Sequence, residues 1–200
     1  MIFIKKLIGE KKIMNKTKDI KIVDNFLSHD GITPSKEYAD LNKIITGNYF
    51  PWYYSDTVND YAISVSSGDD SFQFIHGFYM GNKIISEYFM KCIDPILLKK
   101  IKILSLIRAK ANLTPRTSKI EEVKPYHIDY SEKGFKNAFT SIYYLNTNDG
   151  YTKFENGDKV ESVENSLVTF PNSLRHAGST NNCDAMYRCV MNINWIKRNK

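Results

Sequence analysis

The chain has 200 residues, 42% hydrophobic and 25% charged, with 28 basic and 22 acidic side chains for a formal charge of +6. This is ordinary composition for one globular domain, long enough to bury roughly 70% of its unfolded surface, and no apolar run approaches the roughly 18 residues of a membrane span. Cys92, Cys183 and Cys189 fit neither a disulfide framework nor a zinc site, which points to a reducing, cytoplasmic setting.

Basic residues crowd the start (Lys5, Lys6, Lys11, Lys12, Lys16, Lys18) and the end (Lys197, Arg198, Lys200). Such runs read first as solvated ends, with a nucleic-acid footprint as the alternative. Residues 1–8 lack the apolar stretch of a secretory signal, and one reading makes Met14 the natural start. Residues 20–27 are strand-like and lead into Ser28-His29-Asp30, a helix-start signal, so helix is expected over 31–46. Residues 49–54 are too aromatic, and too broken by Pro51, to be helical. Residues 72–79 alternate weakly, as a strand does, and 82–101 carry helical apolar spacing interrupted at Pro95.

From about residue 103 the character changes to short runs of branched and aromatic residues. Strands are expected near 103–113, 125–130, 137–145, 151–155, 159–163, 166–170, 174–179 and 185–196, with Asn148-Asp149-Gly150 and Asn156-Gly157-Asp158 as hairpin turns. The expected fold is mainly β with flanking helices (α+β): a jelly-roll, cupin-like barrel. The single domain, 1–200, divides into a basic extension (1–19), helical and strand support (20–102) and a β core (103–196).

The core carries the chemistry. His127 and Asp129 lie two apart, so on a strand they point the same way. His176 follows 47 residues after Asp129, far enough to arrive from another strand. One carboxylate and two imidazoles leave about half of an octahedral iron open, the 2-His-1-carboxylate arrangement of non-heme Fe(II) oxygenases. In the last strand Tyr187, Cys189, Met191, Ile193 and Trp195 form an apolar face suited to packing on helices. The opposite face, Met186, Arg188, Val190, Asn192 and Asn194, would point into a barrel. There the Arg188 guanidinium needs a partner, and a dicarboxylate ligand supplies one in bidentate fashion. Tyr144, sharing a face with Thr140 and Ile142, could hydrogen-bond the same carboxylate.

His127-Ile128-Asp129, Ser141-Ile142-Tyr143-Tyr144-Leu145-Asn146, the segment around His176, and Tyr187-Arg188 together resemble the 2-oxoglutarate- and Fe(II)-dependent dioxygenases, in their prolyl-hydroxylase-like branch. The resemblance spans roughly residues 105–196, with a weaker echo in Ile22-Val23-Asp24-Asn25-Phe26-Leu27. It implies a double-stranded β-helix in which His127, Asp129 and His176 bind Fe(II). It also implies that Arg188 pairs with the distal carboxylate of 2-oxoglutarate, helped by Tyr144, and that Asn112 lies near the cosubstrate. Arg188 follows His176 by 12 residues, more than is usual in such relatives, which implies a longer loop over 179–184. The implied reaction consumes O2, releases succinate and CO2, and hydroxylates a substrate. A peptidyl proline or other protein side chain comes first, then a small metabolite or a nucleobase.

Other signals read as structure. His29 belongs to a helix-start turn and His76 to strand packing, while Arg175, Arg108 and Lys110 read as solvated strand positions. The aromatic cluster Tyr49, Phe50, Trp52, Tyr53 and Tyr54 is read first as packing and second as a substrate-facing wall. A zinc-dependent hydrolase and a non-catalytic metal- or 2-oxoglutarate-binding barrel are the rival functions. Arg188 and Tyr144 argue against the hydrolase.

Overall fold

The structure is a computed structural model, and it describes residues 18–56, 72–99, 101, 103–123, 125–129 and 137–198. The Met14 start and most of the basic extension lie outside the described residues. The first half contributes β1 (Lys21–Val23), α1 (Lys36–Ile45), β2 (Tyr53–Ser55), β3 (Gln73–Met80), β4 (Lys83–Ile84), α2 (Phe89–Cys92) and α3 (Asp94–Lys99). The second half contributes β5 (Ile103–Pro115), β6 (Ala138–Tyr144), β7 (Tyr151–Phe154), β8 (Lys159–Glu161), β9 (Leu167–Pro171), β10 (His176–Gly178) and β11 (Tyr187–Lys197).

Eight strands form one sheet in the order β1-β9-β6-β11-β5-β3-β2, with β4 paired to β3, and β10-β7-β8 form a second, smaller sheet. These are the two sheets of a double-stranded β-helix, as expected. Alternation along β11 divides the interior in two. Cys189, Met191, Ile193 and Trp195 join a core with Leu41 and Ile45 of α1, Cys92 of α2 and Ile96 of α3. Val190 points the other way, into a core between the sheets with Ile142, Tyr144, Phe154, Val160, Val168 and Phe170. The helices therefore cover the outside of the large sheet and leave its inner face for the site.

Several expected elements differ. α1 begins at Lys36, because the Ser35 hydroxyl caps the Tyr38 N–H, while Asp30 spends its carboxylate on the N–H groups of Ile32 and Thr33 in a separate turn. The helical spacing over 82–101 resolves into a two-residue strand and two short helices that meet at Ile93 and Asp94, just before Pro95. Asn156-Gly157-Asp158 does turn a hairpin, with Gly157 at φ +93° between β7 and β8. Asn148-Asp149-Gly150 does not. It carries the chain from β6 in the large sheet to β7 in the small one, and Asn148 Oδ1 accepts from the Gly150 N–H at 2.9 Å. Residues 125–129 form no strand; His127 is held by an isolated antiparallel bridge to His176.

Asn165 ties the first half to the β core. It sits at φ +59°, accepts from the Leu27 N–H at 3.0 Å and from the Tyr143 hydroxyl at 2.7 Å, and donates to the Leu27 carbonyl at 3.3 Å. Removing its amide strands two buried donors. Asn165→Ala should therefore cost about 2–4 kcal/mol of folding free energy, read as a lowered midpoint in urea unfolding; a change under about 0.5 kcal/mol, the range of ordinary surface substitutions, would contradict this role.

Candidate metal and anion site

The bridge between His127 and His176 is a reciprocal pair of backbone hydrogen bonds, 3.0 and 2.9 Å long. It sets the two imidazoles side by side, ring centroids 4.9 Å apart. Each Nδ1 is turned to a carbonyl two residues earlier, Pro125 at 3.4 Å and Leu174 at 3.3 Å. A proton on each Nδ1 leaves both Nε2 lone pairs free for a metal. His127 Nε2 lies 3.9 Å from Asp129 Oδ1, and His176 Nε2 lies 3.6 Å from Asp129 Oδ2. Potential ligand atoms of the three residues all lie within 4.8 Å of one another. Phe154 and Phe170 wall in the His176 ring, which is 2% exposed.

Asp129 is fixed from the large sheet. Across β6, β11 and β5, Thr140, Asn194 and Arg108 are register neighbours, and each sends a polar group to the carboxylate. Arg108 Nη2 reaches Oδ1 at 3.2 Å, and Thr140 Oγ1 and Asn194 Nδ2 both reach Oδ2 at 3.1 Å. Arg108 also donates to Asn194 Oδ1 at 3.1 Å. Burial alone would raise the Asp129 pKa; His176, Arg108, His127 and the Asn194 hydrogen bond overcome it and hold the carboxyl well below its usual range. Burial and the neighbouring His176 push the His127 imidazole down to about 4, against the opposing pull of Asp129. A neutral imidazole beside an ionised carboxylate is the protonation state a metal requires.

Arg188 stands further along β11 on the same face. It is 5% exposed. Its Nε donates to Ser162 Oγ at 2.9 Å and its Nη2 to Thr152 Oγ1 at 3.1 Å. Among the described residues no carboxylate pairs with it, and burial lowers its pKa. Tyr144 lies behind it rather than on the cavity wall. The Tyr144 hydroxyl donates to Thr152 Oγ1 at 2.9 Å, and burial raises its pKa. Thr152 thus accepts twice and keeps its own proton for an acceptor in the cavity.

A cavity of about 70 Å³ joins the two ends, lined by His127, Asp129 and His176 at one and by Thr152 and Arg188 at the other. Asn112 also lines this cavity, facing Val190 across the ladder. The amide oxygens of Asn112 and Asn192 are buried without a hydrogen-bond partner among the described residues. A buried guanidinium lacking an acid marks a cavity suited to an anion, while the two orphaned amide oxygens are acceptors left open to a donor.

Sequence reasoning placed Arg108 and Lys110 in solvent, and the structure corrects this. β5 is an inner strand between β11 and β3, and from Arg108 to Thr114 its even-numbered residues line the cavity; Lys110 is 6% exposed. His76 is packed as expected, its ring nitrogens against the Pro51 carbonyl and the Ser86 hydroxyl, both at 2.8 Å. Arg175 is half exposed and pairs with Glu155. The sequence put Thr140 and Asn194 on inward-facing strand positions without giving them a role, and it did not single out Thr152 or Ser162. For Thr140 and Asn194 the signal is that inward placement, which the ladder turns into a direct pairing.

No family model and no curated protein matches the chain. Solved structures do. A prolyl-4-hydroxylase of Pseudomonas putida superimposes with a TM-score of 0.54 at 14% identity, over 92% of this chain and 95% of that one. The chain has the prolyl-hydroxylase fold. A prolyl hydroxylase from Trichoplax adhaerens, solved with a peptide fragment of the hypoxia-inducible factor oxygen degradation domain, matches with a TM-score of 0.55 at 16% identity, over 90% of this chain and 84% of that one. At these identities the likeness concerns the fold, and the chemistry of the site rests on this chain's own residues.

Thr140→Val and Asn194→Ala should each weaken Mn(II) or Co(II) binding about 10- to 100-fold, as loss of groups that orient metal ligands does. Equilibrium dialysis checks this, with thermal melting as the control for folding; unchanged affinity in both variants would contradict the arrangement.

Proposed function

We propose that the protein is a 2-oxoglutarate- and Fe(II)-dependent dioxygenase that hydroxylates a substrate reaching the site from the open side of the large sheet. The observation that carries this reading is the pairing, in one cavity, of a His-Asp-His cluster with a buried arginine that has no acid partner among the described residues. His127, Asp129 and His176 would hold the iron. Arg188 would bind the distal carboxylate of 2-oxoglutarate, with Thr152 adding a hydrogen bond and Tyr144 holding Thr152 from behind. Iron, 2-oxoglutarate and O2 would supply the oxidising chemistry. The protein orients the keto acid along β11, keeps Asp129 ionised, and excludes bulk water with Val123, Ile142 and Val190.

A peptide side chain is the preferred substrate. The groove beside Asp129 is open rather than closed over, and a related fold has been solved with a peptide fragment bound. The hydrolase reading needs a general base beside the metal. Among the described residues lining the cavity, Asp129 is the sole carboxylate, and the Arg108 side chain already holds it. The cavity's buried arginine also favours an enzyme that takes a dicarboxylate over one that takes a metal and water alone.

Two substitutions test the assignment. Asp129→Ala should abolish Fe(II)- and 2-oxoglutarate-dependent succinate formation. Arg188→Met should retain metal binding while raising the KM for 2-oxoglutarate by at least about 30-fold, the loss expected when one partner of a buried charge pair is truncated. Succinate release that survives Asp129→Ala, or an Arg188→Met enzyme with unchanged KM, would contradict the roles of these two side chains.

A further inference from the structure

β10 supplies an imidazole at one end of the cavity and a bare backbone position at the other. His176 and Gly178 are two residues apart on this strand and both line the cavity, while Ala177 between them does not. Gly178 faces Thr152 across the β ladder, so it stands beside the hydroxyl that accepts from Arg188. Its carbonyl accepts from the Val123 N–H at 2.9 Å, which fixes the backbone there.

The usual structural reasons for a glycine are missing at this position. Gly178 is not among the residues at positive φ, so no backbone conformation demands it. Packing does not demand it either. Among the described residues a Cβ added at Gly178 would meet one heavy atom within 4 Å, Arg188 Nη1 at 3.4 Å, an ordinary van der Waals contact. Gly150 is the contrast. A Cβ there would lie 2.7 Å from Arg188 Cδ and 2.8 Å from both Asn148 Oδ1 and the Thr180 carbonyl oxygen, so the chain itself fills that space. A glycine inside a strand weakens it, and often marks the close approach of a ligand. From residue 178 a side chain would grow into the cavity, toward the guanidinium. Arg188 directs Nε to Ser162 and Nη2 to Thr152. Nη1, the nitrogen nearest the missing side chain, donates to neither.

We infer that Gly178 sets the length of the 2-oxo acid that the protein accepts. Its missing side chain leaves the place beside Arg188 Nη1 and Thr152 to the distal carboxylate. This rests on the oxygenase reading and names a residue that selects the cosubstrate. Two residues of strand advance about 6.6 Å. From His176 to Gly178 the strand therefore runs alongside an extended five-carbon diacid, from its metal-binding end to its far carboxylate. A methyl group at position 178 occupies the room of that far carboxylate, and the four-carbon acid then fits better than the five-carbon one.

The test uses the full chain loaded with Zn(II), which does no redox chemistry. Freshly dissolved oxaloacetate, 2-oxoglutarate and 2-oxoadipate are titrated by calorimetry. Wild-type protein should bind 2-oxoglutarate most tightly. In Gly178→Ala, binding of 2-oxoglutarate should weaken relative to oxaloacetate by about tenfold or more, the scale on which a pocket discriminates one carbon. Gly178→Val should shift the ratio further in the same direction. Gly178→Ala should keep its Zn(II) affinity and should not melt lower, since alanine is no worse than glycine in a strand. If Gly178→Val melts lower, Gly178→Ala alone decides. An unchanged ratio of the two acids in Gly178→Ala overturns the inference, and so does an equal weakening of all three acids, which marks a general disturbance. A fall in the melting temperature of Gly178→Ala also overturns it, because the glycine would then serve packing. If wild-type protein binds one of the other two acids most tightly, this inference alone fails. If it takes up none of the three, the oxygenase reading fails and this inference with it.

Discussion

Asp129 is a carboxylate taken almost wholly out of water, and the structure is arranged around keeping it charged. Desolvation pushes such a group towards its neutral form. Here Arg108, Thr140 and Asn194 approach it from three neighbouring strands, and two imidazoles stand on its other side. The three strand residues are far apart in sequence. The β ladder brings them into one row, and the His127–His176 bridge sets the imidazoles opposite. The helices serve this by burying the outer face of the large sheet, so that its inner face can carry polar groups without loss of a core.

Two interior arginines show how context assigns a role to one residue type. Arg108 meets a carboxylate of the chain itself, and its charge helps hold that carboxylate in place. Arg188 meets hydroxyls of Ser162 and Thr152, which satisfy hydrogen bonds without neutralising it. Gly150 makes room for it, since a Cβ there would lie 2.7 Å from Arg188 Cδ. A guanidinium held this way is preorganised for a carboxylate that arrives from outside.

Much of this was legible in the sequence, for physical reasons that can be named. His127 and Asp129 stood out through their two-residue spacing, although the segment proved to be a bridged loop rather than a strand. β11 was legible because its outer face is continuously apolar, so the polar residues on its other face needed an interior explanation. β5 has no such contrast. Its outward face carries the small residues Ala109 and Ala111, and its inward face carries Arg108 and Lys110, so polarity alone pointed the wrong way. The cluster at 49–54 split between the two readings: Phe50 is buried and Trp52 packs on it, while Tyr53 borders the groove. The helical spacing over 82–101 was real locally, but Pro95 and contacts with the sheet broke it into shorter pieces. Tyr144 was correctly placed on the inner face. Its hydroxyl is taken by Thr152, a partner that only the neighbouring sheet could supply.

One metal and one keto acid must occupy this cavity together if the protein is an oxygenase of the proposed kind, and the visible absorption of the anaerobic Fe(II) protein tests that most directly. A 2-oxo acid chelated to ferrous iron produces a metal-to-ligand charge-transfer band that neither iron nor keto acid gives alone. This band should appear when 2-oxoglutarate is added to the Fe(II) protein, and not when succinate, which lacks the keto group, replaces it. Absence of the band with both components present, while iron remains bound, would contradict joint occupancy of the cavity.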